Sequence, residues 1–357
     1  MPTRAERPAA QMPIPAHGAA ALPAVIVDEY STELRSQDGF LGDQASNTAF
    51  KAMLEWWRKR LRKLDSDPLG DTPLEAISRR QLDDVLREGD PEAAGLVHGV
   101  VEEFAQNLAR VLRRLLHTKA WKGVERIAVG GGMRGSRVGE IAIGRAALLL
   151  KDEGETAELA PIRHDPDEAG LIGGLHLAPP WIFAGHDGAL AVDIGGSNIR
   201  TGIVCARLKK APDLSAAEVR DSELWRHADD SPKRDEAIER LVDMLRDLAR
   251  KAEKRDFNLA PFVAVGCPGR IREDGGIERG AQNLPGNWET SRFNLPGRIR
   301  EGLPEIGGHE TVVVLHNDAV VQGLSQAPFM QDVRRWGVVT IGTGLGNAVF
   351  TNRRPED

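Results

Sequence analysis

The chain has 357 residues, 41% hydrophobic and 28% charged, with a formal net charge of −6. That length suits two lobes with cores of their own, and the acidic balance argues against a general nucleic-acid binder. No apolar run approaches the roughly 20 residues of a membrane helix. Cys205 and Cys267, the only two cysteines, make no disulfide framework, so a reduced cytoplasmic protein is expected.

In chain order, residues 1–22 are Pro/Ala-rich without a continuous apolar core, and read as a flexible tail rather than a signal peptide. PAVIVDEY (23–30) reads as a short strand. Residues 47–64 predict an amphipathic helix with Phe50, Met53, Leu54, Trp57, Leu61 and Leu64 on one face. Its WWRKRLRK run offers a nucleic-acid contact, but the helical spacing of the apolar residues favours a solvated basic face. After the loop DSDPLGDTP, a short helix is expected over 74–87. The next helix opens at Asp90-Pro91, a cap with proline at the first helical position, and aligns Val97, Val101, Phe104, Leu108, Val111 and Leu115. A strand RIAVGG and a helix over about 135–151 follow. Beyond residue 190 come a Gly-rich hairpin, a strand over 218–225, and a helix over 234–253 carrying Ile238, Leu241, Val242, Leu245 and Leu248. No repeat of fixed period is present.

The hairpin is the most informative stretch. AVDIGGSNIRTGIV (191–204) runs an apolar strand into an acid, two glycines and Ser197-Asn198, then a second strand. Such a turn places backbone N–H groups and small hydroxyls against a phosphate. Asp193 at its mouth could hold a hydrated Mg²⁺; the alternatives are a plain hairpin and a turn acid. Three companions follow: Gly266-Cys267-Pro268-Gly269 with NLPGNW (283–288), VVVLHNDAVVQG with Asn317-Asp318, and GVVTIGTGLGNAVF with its turn Gly342-Thr343-Gly344. Two Gly-rich turns with a lone carboxylate between them suit phosphoryl transfer, which needs phosphate cradles, a metal and one positioned base.

These four segments resemble the sugar kinases of the ROK family, within the actin-like ATPase (hexokinase) superfamily. DIGGSNIR resembles that family's first phosphate loop, GTGLG its second, GCPG with NLPGNW its sugar-binding lobe, and the Asp of HNDA its catalytic base. The resemblance implies an α/β protein with the two-lobed actin-like (ribonuclease H-like) fold. It also implies transfer of the γ-phosphoryl of Mg-ATP to a hexose hydroxyl, with glucose or a close analogue as acceptor.

The order of segments departs from the family, whose first phosphate loop lies near the N-terminus. Here VERIAVGGGMRGSRVGEIAIGRAAL (124–148) resembles the strand, turn and helix that pack on adenosine, and ELAPIRHDPDEAGLIGGLHLA (158–178) the strand and final helix. Both precede the first loop, so a circular permutant is expected. Its nucleotide lobe would take 23–165 plus 332–357, and its sugar lobe 167–330, including a crossing helix over 167–178. Permutation is tolerated where old termini lie close and at the surface.

By resemblance, Asp318 is the general base, with an N-cap of the following helix as its other reading. Gly195, Gly196, Ser197, Asn198, Gly342, Thr343 and Gly344 would cradle phosphates, with Asp193 organising Mg²⁺ through water. Gly131 and Gly132 would lie against adenosine, or be helix-packing glycines. Pro268, Gly269, Asn283 and Asn317 are sugar-pocket candidates, Asn317 foremost because it adjoins the base. The family's cysteine-rich zinc motif is absent, so no structural zinc is expected. Its acidic-histidine sugar motif is not legible; in a permutant it falls near 17–45, where Glu29 and Glu33 are the only guesses. Small molecules are the expected partners, without nucleic acid or membrane; the sugar, ATP against polyphosphate as donor, and a homodimer stay open. Two other functions compete: a repressor, for which SRRQLDDVLREG (78–89) faintly resembles a helix-turn-helix, and a catalytically inactive sugar sensor on the same scaffold. GGGMRG lacks the spacing and downstream acid of a dinucleotide fingerprint.

Overall fold

The computed structural model of the chain describes residues 12–36 and 39–353. It is an α/β protein built on two five-stranded mixed sheets. Sheet I runs in space Val25–Tyr30, Leu345–Asn352, Arg335–Ile341, Arg126–Gly130, Glu158–Pro161. Sheet II runs Glu218–Trp225, Ile199–Cys205, Gly188–Ile194, Leu259–Cys267, Val312–Asn317.

The two sheets share one pairing pattern. In sheet II the central strand Gly188–Ile194 pairs antiparallel with Ile199–Cys205 and parallel with Leu259–Cys267, and the outer strands continue each sense. In sheet I, Arg335–Ile341 takes the central place, with the antiparallel hairpin partner Leu345–Asn352 and the parallel partner Arg126–Gly130. The two patterns coincide in chain order only when sheet I is read from Arg335 to Asn352 and then onward from Val25. The join is direct: Val25–Tyr30 pairs antiparallel with Leu345–Asn352, Ile26 opposite Thr351 and Val27 opposite Phe350. The strands of sheet I fall within 23–165 and 332–353, and those of sheet II within 167–330.

Strand alternation explains the layers. In Gly188–Ile194, Leu190, Val192 and Ile194 face the outer helix Arg234–Glu253, while Ala189 and Ala191 face inward. Likewise Val339 and Ile341 join the outer core under the helices Pro91–Leu116 and Arg137–Asp152, while Val338 and Phe350 face inward. Between the sheets lie two short helices, Ala169–Gly174 and Asp318–Leu324. They cross so closely that a Cβ on Gly173 would lie 1.8 Å from the Val321 carbonyl oxygen, and one on Gly323 within 2.9 Å of Phe350 and Val338. Small residues set this approach, and with it the position of everything at the helix ends.

Several local expectations need correction. Residues 1–11 of the predicted tail lie outside the described residues, but 12–22 are docked. The Gly18 N–H donates to the Leu315 carbonyl at 2.9 Å, the Leu315 N–H to His17 Nδ1 at 3.1 Å, and Leu22 is buried. The segment thereby covers the outer strand of sheet II, an edge that would otherwise be open. The helix expected over 74–87 is broken: a 3-10 turn Leu74–Ala76 precedes Arg79–Glu88, which restarts at a Ser78–Gln81 capping box. The helix expected over 167–178 is α-helical only to Gly174, ending in a 3-10 turn. The first helix runs Asn47–Arg62, and Leu64 lies beyond it in solvent rather than on its apolar face. The Asp90 cap and Pro91 stand as read.

Candidate active site

A cleft of about 800 Å³ opens at the carboxyl ends of the parallel strands of both sheets. It gathers Asp193, Gly195, Gly196, Ser197 and Asn198 with Gly342, Thr343 and Gly344; Gly131 and Gly132; Pro268, Gly269 and Asn283; and Asn317 and Asp318. Of the two guesses from sequence, Glu33 lines this space as well, whereas Glu29 sits against Arg270 at 3.3 Å.

The two Gly-rich turns face each other. Each closes on itself, the Gly195 N–H donating to the Asn198 carbonyl at 2.8 Å and the Gly342 N–H to the Gly344 carbonyl at 2.9 Å. The amides of Gly196, Ser197 and Thr343 donate to no protein group among the described residues. The Ser197 and Thr343 hydroxyls meet at 3.1 Å. Free amides plus hydroxyls from two sides form an acceptor-seeking surface of the kind that holds phosphate oxygens. The second turn is fixed from behind by the helix Asn47–Arg62: the Asn47 N–H donates to the Gly342 carbonyl at 2.9 Å, and the Thr48 hydroxyl to the Thr343 carbonyl, also at 2.9 Å.

Gly131 adopts φ +84°, and a Cβ there would come within 2.4 Å of the Ile341 peptide. Gly132 lies under the Arg79 guanidinium, which would sit 3.0 Å from an added Cβ. Packing of the turn therefore accounts for Gly131, while Gly132 opens on a cationic wall. Burial lowers the Arg79 pKa, opposed by Asp167 and Asp83.

Asp318 is the first residue of its helix, and the cap is Asn317, not Asp318. The Asn317 side-chain oxygen accepts from the Ala319 and Val320 N–H groups at 3.0 and 3.3 Å. Its amide donates to the Gly269 carbonyl at 3.0 Å and lies 3.4 Å from the Ser31 hydroxyl. Both ends of the Asn317 side chain are thus engaged by protein, and the residue is 2% exposed where it lines the cleft. Asp318, one residue on, lines the cleft. Burial by surrounding protein and, second, the charge of Asp193 push its pKa up to about 7.

Asp193 is 4% exposed and lies under Gly170, where a Cβ would come within 2.5 Å of its carboxyl carbon. Burial raises its pKa; Arg200, at 3.8 Å and directly opposite in the hairpin, opposes this. Arg200 also pairs with Asp167, ahead of the helix Ala169–Gly174. Behind the Asn317–Asp318 turn, His316 accepts from the Asn317 N–H at Nδ1 (2.7 Å) and faces the Ala19 carbonyl at Nε2 (3.2 Å). Burial lowers its pKa to about 4, so it is neutral at pH 7. Cys205 and Cys267 are free and buried, and burial pushes the Cys267 thiol well up.

Among the described residues, no group of three or more His, Cys, Asp or Glu is gathered for a metal ion, and no helix is long and apolar enough to cross a membrane. Sequence reasoning missed Ser31 and Thr32, which enter the cleft from the end of the strand Val25–Tyr30, and the cleft-lining cations Lys51, Arg79, Arg200, Arg226, Arg270 and Arg279. Only Arg200 carried a signal, its place opposite Asp193 across a predicted turn. Searches of family models and of curated proteins return no match to this chain.

Proposed function

We propose that the protein is an ATP-dependent sugar kinase of the ROK type, with the two-lobed actin-like fold in circularly permuted order. The observation that carries the reading is the Asp318 carboxylate. It stands beside the Asn317 cap, is raised to a pKa of about 7, and is set in one cleft with two facing turns that offer amides without a protein partner among the described residues and two hydroxyls bonded only to each other. The fold part is supported by the shared pairing pattern of the two sheets, joined at the Val27–Phe350 pairing, and by the two helices crossing between them.

Asp318 would accept the proton of an acceptor hydroxyl as its oxygen attacks the γ-phosphorus of ATP; the bond to the β-γ bridging oxygen breaks and ADP leaves. A carboxylate titrating near neutrality is matched to this task. The amides of Gly196, Ser197 and Thr343 would hold the phosphate oxygens of ATP in line with that hydroxyl. Asp193 is a single buried carboxylate at the mouth of the first turn, which fits Mg²⁺ that arrives with a nucleotide and keeps phosphate and water as its other ligands. Bound there, Mg²⁺ would neutralise phosphate charge. Gly132 and Arg79 would border the nucleoside side, and Pro268, Gly269 and Asn283 the acceptor side.

The test is ADP release with Mg-ATP across neutral and acidic hexoses and N-acetylhexosamines, beside Asp318→Asn. Sugar-dependent release that falls by about 10²-fold or more in the variant supports the reading. No release with any sugar, while sugars still raise the melting temperature, replaces it with a sugar sensor.

A further inference from the structure

Arg270 and Arg279 stand directly opposite each other in a small antiparallel ribbon, Arg270–Ile271 against Ile277–Arg279. Directly opposed residues leave the same face of a ribbon, and both arginines line the cleft. Like charges in that relation are destabilising unless something neutralises them. Arg270 is partly matched: Glu29 lies at 3.3 Å, Glu278 at 3.9 Å, and its guanidinium stacks 5.6 Å over the Tyr30 ring. Arg279 is exposed and makes no ion pair or side-chain hydrogen bond among the described residues.

The ribbon is tied to the candidate base. The carbonyl of Gly269, next to Arg270, accepts from Asn317, the residue before Asp318. The Arg279 carbonyl packs so closely on Gly269 that a Cβ there would come within 2.6 Å of it. The Tyr30 hydroxyl bridges the Ile271 N–H and carbonyl at 3.1 and 3.3 Å, pinning the ribbon to sheet I. An unneutralised guanidinium fork therefore stands on a held wall of the acceptor side. A neutral sugar offers it hydroxyls alone, whereas a carboxylate or phosphate offers two charged oxygens in matching geometry.

Resting on the kinase reading, we propose that the acceptor is an anionic sugar whose carboxylate or phosphate docks between Arg270 and Arg279. The full-length protein is assayed for ADP release with Mg-ATP against matched sets: glucose, gluconate, glucuronate and the glucose phosphates. Thermal shift with each sugar alone is read in parallel. The expected result is turnover of an anionic member at the lowest KM, the sugar acids and sugar phosphates telling carboxylate from phosphate. Arg279→Gln should raise that KM about tenfold or more, the loss of a charge-assisted contact, and Arg279→Lys should recover part of it. A neutral hexose turned over best, with its KM indifferent to Arg279→Gln, overturns the proposal and leaves the kinase reading standing. No ADP release with any sugar overturns the kinase reading. In that case a thermal shift confined to anionic sugars and lost in Arg279→Gln sustains the anion site, and its absence removes it.

Discussion

The hydroxyls of Ser197 and Thr343 meet at 3.1 Å across the cleft, joining the turn of one sheet to the turn of the other. Beside it the amides of Gly196, Ser197 and Thr343 donate to no protein group among the described residues. A phosphate entering between them must exchange this exposed contact for its own hydrogen bonds. Ser197→Ala should therefore change the melting temperature little, since a partly solvated hydroxyl pair contributes about 1 kcal/mol or less. The same substitution should raise KM for ATP several-fold. An unchanged KM would remove the turn from the donor site.

Asp318 gives a pH signature in two observables. In the proposed role of general base it must be ionised, so kcat/KM should rise with pH and level off above about 7. Stability should move the other way. The folded pKa lies above the ordinary carboxylate value, so between that value and about 7 the folded chain holds a proton that the unfolded chain has released. The stability associated with that proton is full below the unfolded pKa and lost as pH rises through about 7. Asp318→Asn mimics the protonated acid, so it should raise the melting temperature most at pH 8, less at pH 5, and barely alter it below the ordinary carboxylate pKa. Each tenfold change in proton affinity is about 1.4 kcal/mol, and screening at the open cleft floor should leave on the order of 2 kcal/mol. Equal shifts at both pH values would place the carboxylate in an ordinary solvated setting.

Asn317 separates capping from sugar contact. Asn317→Ala removes the acceptor for two helix amides and leaves the Gly269 carbonyl without its donor. A loss of about 1–3 kcal/mol is expected by chemical denaturation. Asn317→Asp should restore the cap but not the bond to Gly269, and so recover only part. If Asn317→Ala instead keeps full stability and loses only sugar affinity, its role is ligand contact.

Most element positions were legible in the sequence because apolar periodicity and caps are local. Asp90-Pro91 opens its helix because proline needs no N–H donor partner in the first turn. The Gly-rich turns were legible too, since few sequences place two glycines between apolar strands. What escaped depends on contacts between distant segments. The tail 12–22 carries no periodic signal, and its order comes from His17 and Gly18 bonding Leu315. Asn317 and Asp318 are both capping residue types, and propensity alone does not choose between them. The choice falls to Asn317 because its amide can also donate to Gly269, which an ionised carboxylate cannot. Arg79 and Arg279 were invisible as cleft residues, being single exposed-type residues brought in by packing.

The crossing of the two central helices makes the sharpest packing test. A Cβ on Gly173 would lie 1.8 Å from the Val321 carbonyl oxygen, a backbone atom that cannot turn aside. Gly173→Ala must therefore push apart the helices Ala169–Gly174 and Asp318–Leu324, the second of which begins with Asp318. Overpacking of this kind costs about 1–3 kcal/mol and more when backbone must move. Gly95, in the helix Pro91–Leu116, offers the control, because an added Cβ there meets nothing within 4 Å. Gly95→Ala should stabilise by roughly 0.5–1 kcal/mol through helix propensity alone. Paired urea denaturations should thus shift in opposite directions, with Gly173→Ala also lowering the activity per folded molecule. Tolerance of alanine at both positions would mean that the helices do not approach as described, and the placement of Asp318 would lose its support.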